Sequence, residues 1–137
     1  MKVFIDTNIL IDLLGDRKPY SKFAIEIFKA AEQKTITLYA TTHSLATTHY
    51  LLKKYIDEKK LRQILEGLLE YLNIVPIDEH IFRQGLKSRH KDFEDALQMI
   101  AASGIPEITC IVTRNLKDFK HSEVEVVSPD ELVKKLK

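Results

Sequence analysis

Residues 2–15 read KVFIDTNILIDLLG, and the fold turns on how that stretch divides. KVFI is a short run rich in β-branched and aromatic residues, which suits a strand. In NILIDLLG the apolar positions Ile9, Leu10, Leu13 and Leu14 recur at helical spacing, and Gly15 marks a stop. A strand therefore ends at Asp6 and a helix starts almost at once.

The same alternation continues outward. YSKFAIEIFKAAEQK carries Phe23, Ile27 and Ala30 on one helical stripe, and TITLYAT alternates like a strand. HSLATTHYLLKKY and KKLRQILEGLLEYL read as two consecutive helices. NIVPI is a short strand that Pro76 confines to an edge or a terminal position. DEHIFRQGLKSR is a helix opened by Asp78, and DFEDALQMIAASG is a helix closed by Gly104. ITCIVT is wholly apolar, the pattern of an inner strand; VEVVS is a last short strand, and PDELVKKLK a terminal helix with Pro129 near its start. Strands separated by helices or helix pairs predict an α/β domain, a mostly parallel sheet covered on both faces.

Composition narrows the class. A chain of 137 residues reads as one domain, residues 1–137, long enough to bury a core without staples. Hydrophobic residues make up 45% and charged residues 30%, a globular balance. The net charge of +1 excludes a global basic footprint, so any nucleic-acid contact must come from a local patch, an oligomer groove or metal ions. The single cysteine, Cys110, lies in an apolar run and reads as a buried core thiol. The amino end interrupts its apolar stretch with Asp6 and makes a poor signal peptide; with no membrane-length apolar run, a cytoplasmic location is expected.

Function is written in where the acids fall. In open α/β sheets, ligands bind beyond the carboxyl ends of the strands. Asp6 follows the first strand directly, and Asn115 and Asp118 follow ITCIVT. A third group, Asp92, Glu94 and Asp95, opens the DFEDAL helix. Its amino end is expected near the opposite rim, so these acids reach the site only if the helix lies across it. On a helical wheel of about 100° per residue, Phe93, Ala96, Leu97, Ile100 and Ala101 form the apolar stripe. Asp92 and Asp95 share one border of it, and Glu94 falls nearer the other. Taken singly, each acid has a plainer use: Asp92 as an N-cap, Asp95 as a first-turn acid, Asp118 as a turn residue. Gathered on one rim they repel unless something positive sits among them, and hard cations such as Mg²⁺ and Mn²⁺ favour oxygen ligands. No glycine-rich phosphate loop, zinc spacing or G-x-S-x-G offers competing chemistry.

VFIDTNILID, DFEDALQ and TRNLKDF, in this order and spacing, resemble the PIN-domain family, whether a VapC-type toxin ribonuclease or a stand-alone PIN nuclease. The resemblance covers nearly the whole chain. It implies a three-layer α/β/α PIN-like fold with a central, mostly parallel sheet. It also implies RNA hydrolysis with one or two Mg²⁺ or Mn²⁺ ions, leaving 5′-phosphate and 3′-hydroxyl ends. By that resemblance Asp6, Asp95 and Asp118 are the catalytic, metal-binding acids, Thr7 and Asn8 buttress Asp6, and Asn115 is a supporting polar residue. A homodimer and an antitoxin protein are the implied partners besides RNA.

One departure matters. The family's second acid is usually a Glu in a pattern near S-x-x-x-E, and THSLATTHYLL has no acid. Alignment puts Thr47 at that place, and Asp92 is the candidate to supply the missing charge as a further metal ligand. His43 and His49, on the same helix, read as surface or packing histidines. Lys87, Arg89 and Lys91 precede the acidic helix, and Arg114 precedes Asn115; each is either a solvated charge or a guide for the RNA backbone. The missing acid leaves a rival reading, a catalytically weak PIN-like module that binds RNA or a protein. A phosphatase of the haloacid dehalogenase type is disfavoured, because that chemistry wants an Asp where Asn8 stands.

Overall fold

A computed structural model describes residues 1–137. Five strands form one parallel sheet in the order β3-β2-β1-β4-β5: β1 Lys2–Ile5, β2 Thr37–Thr41, β3 Leu72–Val75, β4 Cys110–Val112 and β5 Val126–Val127. Seven α-helices surround it: α1 Thr7–Leu14, α2 Ser21–Glu32, α3 Thr42–Leu52, α4 Glu58–Leu68, α5 Glu79–Lys87, α6 Phe93–Ser103 and α7 Pro129–Leu136. The three-layer α/β/α fold expected from the alternation is present, with β3 on an edge as Pro76 required. β1 is the middle strand and β4 lies beside it, paired on both sides.

Side chains alternate across each strand, as the pleat dictates. Val3, Ile5, Leu38, Ala40, Cys110 and Val112 face the larger core, where Ile9, Leu10, Ala24, Ile27 and Leu132 of α1, α2 and α7 meet them. Phe4 and Ile111 face the other layer, packed on Met99, Ala101 and Ala102 of α6 and on Phe119. Burying large apolar side chains contributes about 1.5–3 kcal/mol each, so both faces of the sheet are driven under cover. A smaller cluster of Ile11, Leu52 and Leu61 binds α3 and α4 to α1.

Two local features set the position of α6. Asp92 caps it, its Oδ1 accepting from the Asp95 amide at 3.0 Å, and Gly104 ends it. Gly85 of α5 lies against α6: a Cβ there would stand 2.8 Å from Leu97 Cδ2 and 3.1 Å from Phe93 Cε1. A larger residue there would force the Leu97 side chain and the Phe93 ring to shift.

Leaving β1, the chain builds outward to β2 and β3, then returns to place β4 on the other side. The strand order reverses between β1 and β4, which is where a crevice opens at the carboxyl ends of such a sheet. The Asp6 amide donates to Val112 O at 3.0 Å and the Thr113 amide to Val127 O at 3.1 Å, so Asp6 and Thr113 are the first residues past that rim.

Candidate functional site

Asp6 is both the end of β1 and the N-cap of α1. Its carboxylate is only 5% exposed, yet four donors reach it. Oδ1 accepts from the Thr7 amide at 2.7 Å and from Gln98 Nε2 at 3.4 Å. Oδ2 accepts from Thr113 Oγ1 at 2.8 Å and from Asn8 Nδ2 at 3.3 Å. Burial pushes the Asp6 carboxyl above its usual range; the bonds from Thr113, the Thr7 amide and Gln98 pull it back, and the charge of Asp92 pushes the same way as burial.

A polar chain ties this acid to three helices. Thr41, the N-cap of α3, accepts from the Ser44 amide and donates to Gln98 Oε1 at 2.7 Å. Gln98 Nε2 donates to Ser44 Oγ at 2.6 Å, and Ser44 Oγ pairs with Thr7 Oγ1 at 2.7 Å. Thr41, Ser44, Gln98 and Thr113 are buried, so each must find partners inside the protein, and they find one another. Sequence reasoning missed Ser44, Gln98 and Thr113 as site residues. Gln98 carried a readable signal: it is a polar residue within the buried face of α6, between Leu97 and Met99.

Around Asp6 lies a cavity of about 220 Å³, lined by Thr7, Asn8, His43, Thr47, Glu94, Asp95, Gln98 and Asn115 among others. Thr47 thus stands on the cavity wall, where alignment put it, while Thr48 is buried and donates to Ser44 O. Asp95 is half-buried, and its carboxyl is pushed up from 3.8 to about 7. Burial is the first cause, followed by the charges of Asp92, Asp6, Asp118 and Glu94. The acids of three separate sequence segments therefore act on one carboxyl.

Three expectations need correction. The amino end of α6 lies at the carboxyl rim, not the opposite one, because a crossover helix runs back against the strands and begins where the preceding strand end lies. Glu94 does reach the cavity with Asp95, and His43 Nε2 lies 3.5 Å from Glu94 Oε1. The helical wheel misled there because Asp92 precedes the helix with extended backbone, φ −98° and ψ 120°, and so is not on the wheel at all. His43 is a cavity residue; His49 does pair away from it, with Glu58 at 2.9 Å. Asp118 is exposed on a 3-10 turn, Leu116–Phe119, that the sequence reading did not separate from the loop.

The proposed RNA guides divide. Lys87, Arg89 and Lys91 are exposed and unpaired, on the segment leading to Asp92. Arg114 is committed elsewhere: Nε and Nη2 donate to Asp12 Oδ2 and Oδ1 at 2.7 and 3.0 Å, and the guanidinium lies 4.0 Å from the Tyr20 ring centre.

The donor set fits a hard cation. Every cavity-facing acid is a carboxylate, and Asn8 Oδ1 is buried with no hydrogen-bond partner, an acceptor that an ion or an ordered water would satisfy. No three acids or histidines stand together as a closed ligand set. An ion would keep waters in its remaining positions, as Mg²⁺ commonly does.

A family model described as PIN domain matches residues 2–117. The chain belongs to the PIN-domain family. Ribonuclease VapC1 of Aquifex aeolicus (strain VF5) is 25% identical to it over 135 residues, 95% of this chain and 92% of that protein. A toxin-antitoxin complex from Klebsiella pneumoniae contains a chain of 26% identity and TM-score 0.67, the match covering 93% of this PIN domain and 97% of that chain. VapBC-1 from nontypeable Haemophilus influenzae superposes with TM-score 0.68 over 95% and 99% of the two chains; at 19% identity it speaks for the fold.

Proposed function

We propose that this PIN domain is a divalent-metal-dependent endoribonuclease, the toxin of a toxin–antitoxin pair. The observation that carries the reading is that Asp6 and Asp95 line one cavity, with Asp95 pushed up to about 7 by burial first and then by the charges of Asp92, Asp6, Asp118 and Glu94. Structural carboxylates are not gathered this way without a positive counterpart. Asp6, Asp95 and Asp118 would hold one or two Mg²⁺ or Mn²⁺ ions, with Asp92 in the place of the family's usual Glu. When bound, such an ion activates water and offsets charge at the phosphorus.

The chain's own residues do the remaining work. Thr113, Asn8, Gln98 and the Thr7 amide hold both Asp6 oxygens in fixed directions, so little reorganisation accompanies ion entry. Thr47 and His43 form the wall where a second acid is usual, and Asp92 supplies that carboxylate from the cap of α6. Lys87, Arg89 and Lys91 offer phosphate contacts beside Asp92. Phe82, Leu86 and Phe93 are exposed on α5 and α6 next to that segment, an apolar face suited to a second copy and to a shared RNA groove. The likeness to a chain of the Klebsiella pneumoniae toxin-antitoxin complex supports a protein antitoxin as the other partner. No helix is long and apolar enough to cross a membrane, which agrees with action in the cytoplasm.

The test is cleavage of a labelled mixed RNA pool in Mg²⁺, in Mn²⁺ and in EDTA, by wild type and Asp95→Asn. Metal-dependent cutting that Asp95→Asn abolishes supports the reading. RNA binding without cutting in any metal, unchanged by Asp95→Asn, points instead to a binding module.

A further inference from the structure

Arg114 and Asn115 are consecutive, yet they serve different cavities. Asn115 lines the acidic one. Arg114 lines a second, of about 360 Å³, whose other walls are Tyr20, Phe23, Ser128, Pro129 and Asp130. Both open from the same turn after β4, and neighbouring Cα atoms are only about 3.8 Å apart.

This second cavity has a built side. Asp12 of α1 is 1% exposed and accepts both bonds from Arg114, so the guanidinium plane is fixed in orientation. Tyr20, 41% exposed, lies along that plane at 4.0 Å. Phe23 adds a second ring, with Lys22 Nζ 4.9 Å above it. Around the two rings the segment RKPYSK, 17–22, presents Arg17, Lys18 and Lys22 to solvent. Opposite them, the start of α7 carries Ser128 and Asp130, hydrogen-bonded to each other.

We propose that Tyr20, fixed against Arg114, is a stacking shelf for a base of the RNA substrate beside the scissile phosphate. This rests on the ribonuclease reading above and names how that site holds a single strand. Aromatic rings interleaved with cations are the chemistry of single-strand binding: bases stack on the rings and the cations track the backbone. The two sides of the cavity decide which part of a nucleotide enters. Asp130 repels a phosphate but accepts from the amino groups of base edges. Arg17, Lys18 and Lys22 are exposed on the same segment as the rings and supply cations for the backbone. Arg114 is thereby a positioning residue, holding the ring face rather than gripping phosphate itself.

Tyr20→Leu tests the shelf, because it keeps apolar cover over Arg114 and removes only the ring. Tyr20→Phe restores the ring. Cleavage kinetics on the mixed RNA pool in Mn²⁺ are paired with photo-crosslinking of a 4-thiouridine-substituted single-stranded pool in EDTA. Tyr20→Leu is expected to raise KM about tenfold with kcat unchanged, Tyr20→Phe to restore KM, and the crosslink to map to Tyr20. Wild-type cutting with an unchanged KM in Tyr20→Leu, and crosslinks elsewhere, overturns the shelf and leaves the ribonuclease reading standing. Crosslinking at Tyr20 without cutting leaves a ring that stacks bases but no scissile phosphate for it to lie beside, and so overturns the shelf as proposed together with the nuclease. Wild type that neither cuts nor crosslinks overturns both.

Discussion

The Thr113 hydroxyl donates to Asp6 Oδ2 at 2.8 Å, joining residues 107 apart in sequence across the ends of adjacent strands. The same oxygen accepts from the Asn115 amide at 3.0 Å. One hydroxyl thus orients the first acid and shapes the turn that carries Asn115 and Asp118. Thr113→Val keeps the volume and loses both of these bonds and a third, from Asn8 Nδ2 at 3.3 Å. It is expected to destabilise the fold by about 1–3 kcal/mol, the range for buried groups left without a partner, and to weaken Mn²⁺ binding. Thr113→Ser should recover most of both. Denaturant melts and metal titration by calorimetry check this; a Val variant with wild-type metal affinity would remove Thr113 from the site.

Gln98 belongs to the same network, joining Thr41, Ser44 and Asp6 through one side-chain amide. Gln98→Leu leaves the Thr41 hydroxyl and an Asp6 oxygen short of a partner inside the protein. We expect a loss of about 2–3 kcal/mol, together with a drop in cleavage beyond what the stability change explains. Unaltered turnover in a folded Gln98→Leu would show that the network is structural only.

Why the acids were legible and this network was not follows from reach in the chain. Asp6, Asp78 and Asp92 accept from amides, and Gly104 donates to carbonyls, within four residues, so local spacing exposed them as strand end, caps and stop. The alternation of strands with helices likewise announced a sheet covered on both faces, and Val3 and Ile5 face one core while Phe4 faces the other. Gln98, Ser44 and Thr113 bond across 54 to 107 residues, and their pairing depends on strand order, which periodicity does not reveal. The direction of α6 follows from the strands, since a crossover helix runs antiparallel to them and starts at their carboxyl rim. Glu94 reaches the cavity because Asp92, an N-cap with extended backbone, lies off the helical wheel on which the two were separated.

The raised carboxyls set a pH dependence with a definite sign. Asp95 moves from 3.8 to about 7, and burial moves Asp6 the same way. The metal-free fold therefore binds more protons than the unfolded chain between these values. The contribution of these two carboxyls to its stability is fullest below about pH 4 and is lost as pH rises through about 7. A divalent ion reverses the penalty by favouring the charged forms. Thermal melts should show Mg²⁺ raising Tm more at about pH 8 than at about pH 5, and Asp95→Asn should flatten the metal-free slope. A metal-free Tm that climbs between about pH 5 and pH 7 would contradict this account.

Arg114 and Asp12 form a pair of a different kind. Asp12 is buried, and Arg114 supplies both of its side-chain bonds. Arg114→Ala strands that charge and should cost about 3–5 kcal/mol. Asp12→Leu combined with Arg114→Met replaces the pair by apolar volume and should regain most of the loss. If the double variant is stable but retains a raised KM for RNA, the pair serves substrate orientation as well as folding. If its KM is that of wild type, the pair serves folding alone.

Asp92 decides between the plain and the chemical use of the acid cluster. Its Oδ1 caps α6, and its charge bears on both Asp6 and Asp95. Capping and charge can be separated, because Asn caps a helix about as well as Asp. Asp92→Asn should leave the melting temperature close to wild type while weakening Mn²⁺ binding nearly as much as Asp95→Asn does. Asp92→Ala should lose the cap as well, at about 1 kcal/mol. Equal Mn²⁺ affinity in Asp92→Asn and wild type, measured by calorimetry, would make Asp92 a cap only. The place of the missing second acid would then fall to Glu94, an α6 carboxylate that lines the same cavity as Thr47.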